Sequence, residues 1–163
     1  GVIAGYVVCR VKKERFWRYF DLIAPAIALA QGFGRIGCLL AGCCYGKETD
    51  SSCSITFHSS DIAPNGVALI PTQIYSSILD FLNCIVLCLI ARRAKKEKTV
   101  AGCYLLFYST GRFILEFFRG DLERGSVGVI STSQFISIFI FAIGAVMLLI
   151  GRKQPIVQEM KDY

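Results

Sequence analysis

Apolar residues come in four long runs, residues 20–43, 75–91, 100–118 and 134–150, each close to the length that crosses a bilayer. A hydrocarbon layer of ~30 Å takes about 20 helical residues, and a helix satisfies its own backbone groups where lipid offers no partner. The runs therefore predict helices. The opening run, 1–9, is too short to span and predicts a truncated first helix. The expected fold class is all-α integral membrane, with about five transmembrane helices and an irregular extracytoplasmic loop. A single membrane domain over 1–163, a fragment of a longer transmembrane protein, is the expected organisation.

The polar positions between the runs alternate in kind. Arg10, Lys12, Lys13, Arg15 and Arg18 precede the second run, Arg92, Arg93, Lys95, Lys96 and Lys98 follow the third, and Arg152 and Lys153 close the last. If every run crosses once, these groups share one side, the cytoplasmic one, where Lys and Arg are retained. The other side carries loops 44–70 and 119–132, with acidic residues and few lysines. Pro64-Asn65-Gly66 is a turn signal there and predicts a short hairpin or re-entrant piece.

Composition agrees with a bilayer: 54% of the 163 residues are hydrophobic, 18% are charged, and the mean hydropathy is +0.54. The net charge of +6 does not point to nucleic acid, because the basic residues sit in short gaps between apolar runs rather than across a polar, foldable surface. Pro25 and the glycines 32, 34, 37 and 42 predict an irregular or closely packed second run.

Three charges lie where lipid disfavours them: Arg35 within the Gly-rich run, and Arg112 and Glu116 within 100–118. An Arg near a helix centre costs about 2.5–3.5 kcal/mol on insertion scales, so such ions face a cavity, a partner or a ligand. Arg112 and Glu116, four residues apart, share a helix face and can neutralise each other; Arg35 has no such local acid. Counted from the basic ends, Arg35, Arg112 and Arg119 all reach the outer half of the membrane. Converging guanidiniums there suit a phospholipid phosphate, which they bind through two parallel hydrogen bonds. Gln73 and Tyr75 open the third run at the same level, just after Pro71; an aromatic-belt role is the plainer reading of Tyr75.

These residues also carry a resemblance. Gly34-Arg35-Ile36-Gly37, continuing to Tyr45-Gly46, resembles the signature segment of the prolipoprotein diacylglyceryl transferases of bacterial inner membranes. Pro71-Thr72-Gln73-Ile74-Tyr75 resembles their Pro-x-Gln-x-Tyr element, and 111–121 their Arg-x-x-x-Glu-Phe-Phe-Arg stretch. Residues 21–25 and 133–137 match in kind and order.

The resemblance implies transfer of a diacylglyceryl group from phosphatidylglycerol to the signal-peptide cysteine of a prolipoprotein, the first step of lipoprotein maturation. The active site would face the outer leaflet of a multi-pass protein, and the partners would be phosphatidylglycerol, the signal peptide and membrane lipid. Arg35 and Arg112 would be the catalytic arginines, with Glu116, Arg119, Gln73 and Tyr75 in substrate binding. No cofactor or metal is expected. Where the pattern usually has Asn, Asn and Glu, this chain has Cys38, Ala41 and Cys43; in place of its His and Glu around Gln-x-Tyr it has Ile70 and Ser76. The family's His-Gly-Gly stretch precedes a segment resembling 1–5, and His58 does not stand in for its histidine.

Two other classes remain open. One is a phospholipid or signal-peptide binding membrane protein without catalysis. The other, suggested by eight cysteines, is a membrane thiol-disulfide oxidoreductase. Cys9, Cys84, Cys88 and Cys103 read as packing residues. Cys38, Cys43, Cys44 and Cys53 lie toward the outer side, but no Cys-x-x-Cys occurs and their spacing matches no zinc pattern.

Overall fold

The computed structural model describes residues 1–120, 126–127 and 130–150. Asp121, Arg152 and Lys153 lie outside them. The described chain is mostly helical: α1 (Val2–Val11), α2 (Phe16–Leu40), α3 (Thr72–Arg93), α4 (Thr99–Glu116) and α5 (Thr132–Ile150). Two small antiparallel pairs join them, β1 (Ile55–Thr56) with β2 (Ala68–Leu69), and β3 (Ser126–Val127) with β4 (Ile130–Ser131).

Helices α2, α3 and α5 are long and apolar enough to cross a membrane. Helix α4, counted as a span from the sequence, is not in that set. Its 18 residues include Tyr104, Tyr108, Ser109, Thr110, Arg112 and Glu116, which dilute the apolar run. Pro25 sits inside α2 without ending it.

Burial is inverted relative to a water-soluble protein. Leu22, Leu82, Ile136 and Phe139 lie on the outside, whereas Asp21, Gln73, Ser77, Asp80, Asn83, Ser109 and Ser137 are buried between helices. Water would penalise such an exterior, and lipid does not. The chain is a membrane protein by this pattern as well as by its spans.

The helices associate as two pairs, α2 with α3 and α4 with α5, and contact between the pairs is thinner. Small residues set the close approaches. A Cβ on Gly102 would come within 2.8 Å of Leu148, and one on Gly144 within 3.0 Å of the Gly102 carbonyl, so α4 and α5 touch nearly backbone to backbone.

The two ends of the bundle are chemically distinct. At the basic end Arg15 pairs with Glu97 at 2.9 Å and the Lys98 ammonium lies over the Trp17 ring. Asp21, only 1% exposed, accepts hydrogen bonds from the backbone N–H groups of Lys98 and Ala101, both at 2.7 Å. A carboxylate of α2 thereby caps the positive N-terminus of α4. Each hydrogen bond to a charged group is worth about 1.5–3 kcal/mol net, so Asp21→Ala should destabilise the protein by about 3 kcal/mol or more. The thermal midpoint in detergent measures this; an unchanged midpoint would remove the cap from the account of stability.

At the opposite end the Gln73 amide donates to the Cys43 carbonyl at 2.8 Å and the Thr72 hydroxyl to the Cys44 carbonyl at 2.9 Å. Gly46 bridges Arg119 there, which joins the loop after α2 to the end of α4. The loop beyond carries β1 and β2; the side chain of Asn65 closes its turn by accepting from the Ser60 N–H at 2.8 Å and donating to the Ser60 carbonyl at 3.0 Å.

Candidate active site

A cavity of about 690 Å³ occupies the seam between the two helix pairs. Its polar wall is made by Arg35 of α2, Ser76, Asp80 and Asn83 of α3, and Arg112 of α4. Apart from Tyr108 and Thr110 the rest is apolar, including Leu79, Leu82, Val86, Phe107 and Phe141. Leu82, Phe107 and Phe141 are also exposed on the exterior, so the cavity opens sideways onto the lipid-facing surface.

Arg35 and Arg112 line the same cavity from different helices, and the charge of each guanidinium is felt by the other. Both also act on the Asp80 carboxylate, which is 8% exposed. Asp80 is the acid that Arg35 lacked in its own segment. Its place is explicable: Gln73, Ser76, Ser77, Asp80, Asn83 and Leu87 recur at helical spacing and form the inward face of α3. No hydrogen bond holds the Arg35 guanidinium among the described residues.

Arg112 is held more tightly. It donates to the Ser133 hydroxyl at 2.8 Å and lies 3.7 Å from the Glu116 carboxylate one turn along. Glu116 in turn accepts from the Ser131 hydroxyl at 3.0 Å. Ser131 and Gln134 form a reciprocal cap at the start of α5: the Gln134 N–H donates to the Ser131 hydroxyl and the Ser131 N–H to the Gln134 side chain, both at 3.2 Å. The first turn of α5 thus fixes Glu116 and Arg112 together. Ser133 belongs to the matching segment 133–137, whereas Ser131 carried no sequence signal of its own beyond the Ser-x-x-Gln spacing.

The remaining expected residues are placed differently. Arg119 acts electrostatically on Arg112 and belongs to the backbone bridge with Gly46. Gln73 is 1% exposed and spends its amide on the Cys43 carbonyl, while Tyr75 is 40% exposed; neither is among the residues lining the cavity.

The family profile described as prolipoprotein diacylglyceryl transferase matches residues 1–150. The chain belongs to the prolipoprotein diacylglyceryl transferase family. It is 49% identical over 152 residues to a phosphatidylglycerol–prolipoprotein diacylglyceryl transferase of Clostridium tetani, covering 93% of this chain and 61% of that protein. It is 50% identical over 162 residues to transferase 2 of Clostridium perfringens, covering 94% and 62%, and 32% identical to the transferase of Finegoldia magna, covering 98% and 61%. The chain thus spans a little over three fifths of the length of these family members.

Beside the cavity lies a feature that the spacing of cysteines did not announce. The sulfur atoms of Cys38, Cys43 and Cys44 all lie within 4.8 Å of one another. Partial burial and the neighbouring Cys38 and Cys44 thiols push the Cys43 thiol up to about 11. A thiol-exchange enzyme needs a lowered value, so the oxidoreductase reading gains no support from this family member.

Proposed function

We propose that the protein transfers diacylglyceryl from phosphatidylglycerol to the cysteine thiol of a prolipoprotein signal peptide. The observation that carries this reading is a pair of guanidiniums from separate helices at one laterally open, otherwise apolar cavity. Acyl chains suit the apolar wall and the phosphate suits the arginines. The names of the family members, which specify phosphatidylglycerol and prolipoprotein, support the same substrates.

In this mechanism Arg35 and Arg112 hold the phosphate by paired hydrogen bonds. The cysteine sulfur attacks the glyceryl carbon that bears the phosphate; a C–S bond forms as the C–O bond breaks, and glycerol phosphate leaves with the electron pair and takes up the thiol proton. Negative charge grows on that leaving phosphate, and fixed cations in a water-poor cavity stabilise it. Glu116 and Ser133 position Arg112. Asp80 balances the two cations until the lipid phosphate arrives. Arg119 adds positive potential at the rim, and Gln73 and Tyr75 shape the headgroup-level end of α3.

The domain is a single membrane unit in this reading, with α4 completing the crossing alongside α5. Its basic end faces the cytoplasm of a bacterial inner membrane, so the cavity opens toward the outer leaflet.

The test uses the protein in phosphatidylglycerol vesicles with a lipobox-containing signal peptide. Stoichiometric release of glycerol phosphate and a peptide heavier by diacylglycerol are expected. Lipid binding without either product would replace the transferase by a lipid-binding protein.

A further inference from the structure

The cluster of Cys38, Cys43 and Cys44 is built by the way α2 ends. Cys38 is the third-last residue of the helix, and Gly42 adopts φ +66° just beyond its end. The Cys43 N–H then donates to the Cys38 carbonyl at 3.0 Å and the Gly42 N–H to the Leu39 carbonyl at 3.1 Å. This pair of bonds is the Schellman closure, which brings the side chains of its first and last residues together. Here both are cysteines. Cys44 follows at φ +61°, an uncommon conformation outside glycine, and its sulfur meets the other two. The turn is anchored from outside the cluster, because Gln73 and Thr72 hold the carbonyls of Cys43 and Cys44.

We propose that Cys38, Cys43 and Cys44 form a three-thiolate site for a thiophilic d¹⁰ cation of the zinc class. Zinc–thiolate bonds of ~2.3 Å in a tetrahedral array place sulfurs roughly 3.8 Å apart, which small side-chain rotations reach from the present spacing. Three soft sulfurs select against magnesium and calcium, which need oxygen ligands. All eight cysteines are thiols, and pairing any two of the three as a disulfide leaves the third over. Three protein ligands leave a fourth tetrahedral position for an exogenous donor, a thiol being the soft class that suits it. None of the three lines the cavity that holds the arginines, so the site is distinct from the phosphate site and does not depend on the lipid reaction. A bound ion would lock the end of α2, and with it Arg35 one turn earlier, to the loop that caps α3.

The test is cadmium titration of the intact protein in detergent, with Cys9, Cys53, Cys84, Cys88 and Cys103 of this chain replaced by serine so that only the cluster remains. One cadmium per chain is expected, with an ultraviolet thiolate-to-metal charge-transfer band and a thermal midpoint that rises with free cadmium. Cys38→Ser should weaken the affinity at least ~10–100-fold, the loss seen when even an outer partner of a metal ligand is removed. If the Cys38→Ser protein unfolds, mass-counted alkylation of the cluster protein decides instead: cadmium protects three thiols. No binding, protection of fewer than three thiols, a disulfide within the cluster, or undiminished binding by a folded Cys38→Ser protein would each overturn the site.

Discussion

Arg35→Lys is expected to lower turnover by about 10²–10³-fold although the positive charge remains, the scale of loss when one fixed donor to a developing negative charge is removed. The guanidinium offers a planar fork that meets two phosphate oxygens at once, whereas an ammonium is a point charge with its donors on one atom. Ser76 and Asn83 also line the cavity, but neither carries the charge or the planar fork that the lysine lacks. The loss should appear mainly in kcat, with the thermal midpoint held near the parent value, because no hydrogen bond to a described residue is given up. Initial rates of glycerol phosphate release over a range of phosphatidylglycerol contents measure it. Parent turnover in the lysine variant would remove bidentate phosphate binding from the mechanism.

Arg112→Ala is expected to cost a similar factor in rate and to damage the fold as well. Glu116 is nearly buried, and one of its oxygens has no hydrogen-bond partner among the described residues apart from the ion pair at 3.7 Å. Removing one member of a buried pair strands the other, which costs about 3–5 kcal/mol. The combined variant Arg112→Ala/Glu116→Gln should therefore regain most of the lost thermal stability and none of the activity. Recovery of both together would mean that Arg112 serves packing alone.

The apolar runs marked the helices well because a lipid-facing helix must be long and apolar, and this constraint is written directly in composition. The ends were less legible. Helix α2 begins at Phe16 rather than 20 and stops at Leu40 rather than 43, since its start is set by the contacts of Phe16 with Tyr6 and Trp17 and its stop by the closure at Gly42. Helix α4 shows the limit of the same constraint, for the polar residues that face the cavity and the partner helices are the ones that lower its apolar content.

Within the site, Arg35 and Arg112 were visible as charges that lipid penalises, but Asp80 was not. It lies between Ile78, Leu79, Phe81 and Leu82, and an average over that run conceals the one face on which Asp80, Asn83 and Ser76 line up. Asp21 stands in the matching segment 21–25, but its capping role was not legible: its partners are backbone N–H groups about 80 residues away, which no local pattern encodes. The thiol cluster escaped because ligand spacing was read along the chain, while the turn after α2 folds positions five and six apart onto one point.

The central claim is that Arg35 and Arg112 grip one lipid phosphate between them. An experimental structure of the protein with phosphatidylglycerol tests it most directly. The expected result is a phosphate within about 2.7–2.9 Å of both guanidiniums, with its acyl chains along Leu82, Val86 and Phe107. A headgroup bound elsewhere, with Arg35 turned to Asp80 and Arg112 to Glu116 alone, would contradict it.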